Sequence, residues 1–188
     1  MRFCSIASGS SGNCIYVGSD NTHVLVDIGI SGKKMETGLN SLELTGRDLD
    51  GILITHEHSD HIKGLGVISR KYGIPIYATA GTVDAMVRTN ALGKIPEGIF
   101  HEIQEDEPFM INDLKVNPFT IPHDAAQPVG YRLEHEGHSV GIATDLGKYN
   151  DYIIENLQGL DALLLEANHD IRMLQVGKYP YYLKQRIL

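Results

Sequence analysis

The run His56-Glu57-His58-Ser59-Asp60-His61 constrains this chain more than any other stretch: three histidines and an aspartate fall within six positions. It follows directly on Gly51 to Thr55, a compact apolar pattern of the kind that forms a buried strand. If the backbone stays extended past Thr55, His56 and His58 project to the same side. Two imidazoles on one side can hold one cation, and imidazole suits Zn, Mn or Fe. A helix is expected to begin next, over Ile62 to Tyr72, and the turning backbone swings Asp60 and His61 towards a second cation beside the first. Folds that alternate strands and helices place their sites at the carboxyl ends of strands, which is where this run lies.

Other strand-like segments end on ligand-type residues too. Asp27 closes Thr22 to Ile28, His123 follows Leu114 to Ile121, Asp145 follows His138 to Thr144, and His169 follows Leu160 to Glu166. Any one of these is unremarkable; together they form a convergent set of the kind a metal pocket needs. The remaining histidines, His23, His101, His135 and His138, lie inside strands or beside a turn and read as exposed or hydrogen-bonded structural groups.

The rest of the chain supplies a scaffold for such a set. Short strands are expected over Phe3 to Ser8 and Cys14 to Gly18, around the small-residue loop Ser8 to Asn13. That loop is either a tight turn or a row of backbone N–H groups offered to a phosphate. A helix is expected over Ser31 to Leu44 and strands over Ile74 to Ala78, Gly98 to Ile103, Phe109 to Ile111 and Val129 to His135. Turns at Asn112-Asp113 and Glu136-Gly137 should close two hairpins. No repeat or linker divides the chain, so 1–188 reads as a single domain with sheets covered by helices.

Composition sets outer limits. A formal charge of −8 gives no global attraction for nucleic acid, although acidic groups gathered at a metal site would be cancelled there. Cys4 and Cys14 are too few for a disulfide scaffold and read as buried, reduced thiols. No apolar run is long enough to span a bilayer, and Met1-Arg2-Phe3-Cys4-Ser5 leads into no signal-type segment, so a cytoplasmic protein is expected.

The run His-x-His-x-Asp-His, with Asp27, His123 and Asp145 in order around it, resembles the signature of the metallo-β-lactamase superfamily. Five segments resemble its YycJ/WalJ-type exonuclease branch more closely: Ser5 to Cys14, Thr55 to Gly66, His123-Asp124-Ala125, Thr144 to Gly147 and Glu166 to Asp170. The resemblance covers essentially the whole chain and implies a four-layer αββα sandwich with two divalent ions, Zn or Mn, at one edge. Carried over position by position, His56, His58 and His123 would hold the first ion. Asp60 and His61 would hold the second, Asp145 would bridge both, and Asp27 would orient the site from behind the ligands. The family also implies a later Gly-His-Leu-Ser-type segment with a further histidine for the second ion. The sequence reaches Leu188 without it, so the expectation is a chain shortened at its C-terminus with an incomplete second site.

The expected chemistry is hydrolysis by a metal-bridged hydroxide, with Asp60 and Asp145 as catalytic residues and His169 contacting the phosphate or protonating the leaving group. The branch implies a 5′-to-3′ exonuclease with DNA as substrate. The alternative within the same fold is a small-molecule hydrolase: a thioesterase like glyoxalase II, a lactonase or a cyclic-nucleotide phosphodiesterase. A β-lactamase is disfavoured because Asp145 stands where the best-known lactamases use Cys. A non-catalytic relative that has lost its metal is disfavoured by the intact histidine run.

Overall fold

The computed structural model describes residues 1–166, which form two facing sheets. The first sheet is built from β1 (Arg2–Ala7), β2 (Cys14–Gly18), β3 (His23–Val26), β4 (Gly51–Leu53), β5 (Ile76–Thr79) and β6 (Phe100–Ile103), adjacent in that order. β1, β2 and β3 pair antiparallel, whereas β4, β5 and β6 each add in parallel. Parallel addition requires a crossover between strands. Helix α1 (Gly32–Ser41) provides the first, α2 (Ser59–Ile62) with α3 (Leu65–Tyr72) the second, and α4 (Ala80–Arg88) the third.

The second sheet has the order β11-β10-β9-β8-β7. Its strands are β7 (Phe109–Ile111), β8 (Leu114–Thr120), β9 (Val129–His135), β10 (His138–Ala143) and β11 (Ala162–Leu165), with α5 (Asp151–Leu157) joining the last two. The two expected hairpins form: Ile111 pairs with Leu114 and His135 with His138, each across a two-residue turn. Glu136 and Gly137 both take left-handed backbone (φ 48° and 81°), the combination whose twist matches the flanking strands.

Alternation along the inner strands sorts side chains into layers. Ile15, Val17, Val24, Val26 and Leu53 meet Val116, Tyr131, Leu133 and Ile142 between the sheets. The intervening residues Cys14, Tyr16, Leu25, Ile52 and Ile76 face the other way, onto Met35 and Leu39 of α1, Leu65 and Ile68 of α3 and Met86 of α4. Phe119, Ile121 and Ala143 meet Tyr152 and Leu157 of α5 on the far side of the second sheet. The result is the four-layer αββα arrangement. Each fully buried aliphatic residue is worth about 1.5–3 kcal/mol.

Two features differ from the sequence reading. The helix expected over Ile62 to Tyr72 is two helices, broken at Gly64, whose N–H donates to the Ile28 carbonyl (2.8 Å). A Cβ there would sit 2.2 Å from the Ile30 carbonyl oxygen, so only glycine permits this approach. The reading also assigns no helix to the segments that become α4 and α5. Among the described residues no helix is long and apolar enough to cross a membrane.

Candidate metal centre

The ends of β3, β4, β8 and β10 converge at one pole of the sandwich, and two of the residues there are held in unusual backbone. Asp27 and Asp145, one or two residues beyond β3 and β10, have φ of 61° and 54°. Left-handed backbone is uncommon for a residue with a Cβ and carries strain that the surroundings must hold, a condition concentrated at functional sites. The Asp27 N–H still donates to the Leu53 carbonyl (2.9 Å), so the bend occurs without leaving the sheet.

Asp27 is fully buried and its carboxylate is saturated. Oδ1 accepts from the Thr55 amide (2.9 Å), Oδ2 from the Thr55 hydroxyl (2.8 Å), and His61 Nδ1 lies 2.7 Å from Oδ2. A carboxylate only accepts, so the His61 proton sits on Nδ1 and Nε2 is turned into the site. Thr55 has one hydroxyl proton and gives it to Asp27. His56 Nδ1, 3.0 Å from the Thr55 oxygen, must therefore donate. Its Nε2 is left with an outward lone pair. One aspartate and one threonine thus fix the orientation of two imidazoles, as groups behind metal ligands do.

Two overlapping triplets result. His56, His58 and His123 bring one nitrogen each within a 4.8 Å circle, and His56, His61 and Asp145 bring two nitrogens and a carboxylate oxygen within another. His123 Nε2 lies 3.2 Å from His58 Nδ1. Asp145 Oδ2 lies 2.8 Å from His61 Nε2 and 3.6 Å from His56 Nε2. His56 Nε2 is buried and has no hydrogen bond among the described residues. A buried nitrogen lone pair without a donor is costly unless something electron-poor occupies it, and a nitrogen-rich set with one carboxylate suits a borderline divalent cation. The residues present fit a metal ion.

Electrostatics support the same use. Burial, with the neighbouring charges of His61, His123 and His58, pushes the His56 pKa down to about 2, which keeps the ring neutral and its lone pair free. For His61 burial acts in the same downward direction. Asp27 and Asp145 outweigh it and raise the pKa to about 10, so without metal a proton lies between His61 and Asp145. Burial raises the Asp145 carboxyl, but its bond to His61 and the surrounding histidines bring it below its ordinary value. A cation held here would take the place of the His61 proton.

The other expected residues fall as follows. Asp60 lies at the rim, its carboxylate 3.8 Å from His61 Nε2 and outside both triplets. His169 lies outside the described residues. In the Ser8 to Asn13 loop the amides of Gly9, Gly12 and Asn13 are spent on Asn13 Oδ1 (3.0 Å), the Gly9 carbonyl (2.9 Å) and the Asp60 carbonyl (2.8 Å). These three amides are therefore not offered to a phosphate. His23 meets the Tyr16 hydroxyl (2.8 Å) and His101 stacks on Tyr77 (5.0 Å between centroids), both outside the site.

Sequence reasoning missed four contributors. Thr55 looks like any β-branched strand residue until Asp27, 28 positions away, is beside it. Asn13 places Nδ2 3.1 Å from His61 Nε2. Glu57 accepts from the Ala126 N–H (2.9 Å), tying the His123 segment to the histidine run. Glu166, beyond β11, has its carboxyl raised by burial and then by Asp145 and Asp60, which places it beside the same charges.

Comparison with known proteins agrees with this geometry. The family described as beta-lactamase superfamily domain matches residues 22–178. Exodeoxyribonuclease YycJ of Bacillus anthracis is 42% identical over 188 residues, covering 100% of this chain and 70% of that protein. Exodeoxyribonuclease WalJ of Streptococcus pneumoniae is 41% identical with the same coverage. Among solved structures, Zn(2+)-bound PqqB from Methylobacterium extorquens has a TM-score of 0.71 and 18% identity, with 89% of this chain and 64% of that one covered. That last likeness is one of fold alone. With its two triplets at the strand ends and its full-length match to YycJ and WalJ, the chain belongs to the metallo-β-lactamase superfamily, on the branch of those exodeoxyribonucleases.

Proposed function

We propose that this chain is a metal-dependent exodeoxyribonuclease that hydrolyses DNA phosphodiesters from the 5′ end, working in the cytoplasm on a two-ion centre of Zn or Mn. The observation that carries the reading is the pair of triplets sharing His56, in a chain 42% identical to an exodeoxyribonuclease along its whole length. His56, His58 and His123 would hold one ion; Asp60, His61 and Asp145 would hold the other, with Asp145 also facing the first. Bound divalent ions supply Lewis acidity at the phosphorus centre and lower the pKa of water to about 7.

The chain's own residues supply orientation and charge. Thr55 and Asp27 set the rings of His56 and His61. Asp145, kept ionised, is an acceptor for the proton of the attacking water. Addition of that water to phosphorus breaks the P–O bond to the adjoining nucleotide, whose oxygen takes up a proton as it leaves. His169 is the proposed source of that proton.

The test is digestion of end-labelled linear DNA with and without Mn²⁺. Metal-dependent release of nucleotides from the 5′ end is expected. Preferential turnover of a thioester, a lactone or a cyclic nucleotide would move the chain to the small-molecule hydrolases of this fold.

A further inference from the structure

The sequence singles out the Ser8 to Asn13 loop, in which the backbone amides of Gly9, Gly12 and Asn13 are committed internally. Its last side chain is not. Asn13 is 1% exposed and locked on three sides. Its N–H donates to the Asp60 carbonyl (2.8 Å), its carbonyl accepts from Gly29 N–H (2.7 Å), and Oδ1 accepts from Gly9 N–H (3.0 Å). The last bond also fixes which end of the amide is which, because Gly9 can only donate. The NH₂ end therefore faces His61, with Nδ2 3.1 Å from Nε2.

That nitrogen cannot satisfy it once an ion is held there. A ring nitrogen offers one N–H or one lone pair. When an ion occupies the lone pair, no acceptor is left. A buried donor without an acceptor is costly, and the rigid surroundings of Asn13 must hold it. Such a surplus donor, fixed beside a cation site, is what an incoming anionic oxygen needs.

We propose that the Asn13 side-chain amide is a substrate-binding group that donates a hydrogen bond to a non-bridging phosphate oxygen of the bound phosphodiester. This rests on the phosphodiesterase reading above. The donor is preorganised: Gly9 N–H, the Asp60 carbonyl and Gly29 N–H hold it in place before substrate arrives, so binding requires no rotation of the side chain. Its contribution should grow as negative charge builds on the phosphate oxygens during attack.

The test compares the wild type with Asn13→Asp and Asn13→Ala, all loaded with Co²⁺. Asn13→Asp keeps the acceptor for Gly9 and the side-chain size while removing the donor, so it guards against a folding defect in the alanine variant. Inorganic phosphate is titrated while the visible Co²⁺ spectrum is followed, with bound Co²⁺ measured in parallel. Both variants are expected to keep the wild-type metal content and bind phosphate at least about tenfold more weakly. Their kcat on bis-p-nitrophenyl phosphate should fall by about 10²-fold, the usual loss for a donor to developing charge. Unchanged phosphate affinity in the variants, or a wild type that does not bind phosphate, would overturn the proposal. So would loss of bound Co²⁺ in both variants, which would make Asn13 a support for the metal. A wild type that binds phosphate but leaves DNA intact would refute the exonuclease reading while the phosphate titration still tested Asn13.

Discussion

The two poles of the sandwich are built from the same residue types and use them in opposite ways. At the hairpin pole, Asp113 accepts from the Ser19 hydroxyl (2.9 Å), the Thr22 hydroxyl and the Asn21 amide (3.5 Å). Lys115 and Arg132 share Glu134 (3.0 and 2.7 Å), and His138 faces Asp161 at 3.5 Å. Each charge there has a partner and stands in or near water, where such pairs contribute about 0–1 kcal/mol. At the strand-end pole, Asp27, His56 and His61 are fully buried, and among the described residues no Lys or Arg is paired with any of them and one imidazole nitrogen has no hydrogen bond. Histidines and aspartates mark a site when they converge out of water and leave lone pairs over; the same groups at the hairpin pole are simply neutralised.

The largest test of this contrast is to remove one carboxylate from each pole. Asp27→Ala leaves the Thr55 amide and hydroxyl and His61 Nδ1 without their acceptor, and should cost about 3–5 kcal/mol in urea unfolding of the metal-free protein. Asp113→Ala, at a half-buried position, should cost far less, and equal losses would erase the distinction between the poles. A second test separates chemistry from folding at the rim of the site. Asp60→Asn should lower the hydrolysis rate by at least about 10²-fold while the unfolding midpoint stays close to wild type, since the Asp60 side chain is only partly buried. Metal content offers the next comparison: His58→Ala should lose bound ion in elemental analysis, and His138→Ala should lose none.

The smallest expected effect is in pH. The His61 pKa is raised to about 10, so its contribution to metal-free stability is complete below about 6.5 and is lost as the pH rises through 10. The His56 pKa is depressed to about 2, so its contribution is present above about 6.5 and declines as the pH falls towards 2. Urea midpoints of wild type minus His61→Gln should therefore narrow between pH 7 and 10, and a flat difference would remove the proton assigned between His61 and Asp145.

Where neighbours in sequence are neighbours in space, the sequence was readable. β2, β7 and β9 occupy the segments expected from alternation, and the turns at Asn112-Asp113 and Glu136-Gly137 are local chemistry. α5 was also readable, since Asn150 accepts from the Ile153 N–H as a helix cap (3.0 Å), a signal the strand-rich reading passed over. α4 was not: after Ala80 it runs Gly81-Thr82-Val83, three poor helix formers, and its first turn is held by Gln127, whose side chain accepts from Gly81 N–H (2.8 Å). In the site, the histidine run and the strand-end ligands came from pattern and resemblance. Thr55 and Asn13 did not, because a threonine after a strand or an asparagine after Gly12 acquires meaning only from an Asp27 or a His61 tens of residues away.

His56 and His61 follow β4 in one sheet, whereas His123 and Asp145 follow β8 and β10 in the other. An ion gripped by both sets is a rivet through the two halves of the sandwich, placed at the end where their strands stop. Its free energy of binding then adds directly to cohesion, about 2.7 kcal/mol when free ion exceeds its dissociation constant a hundredfold. Scarcity of the ion would thus loosen the folded chain as well as silence it.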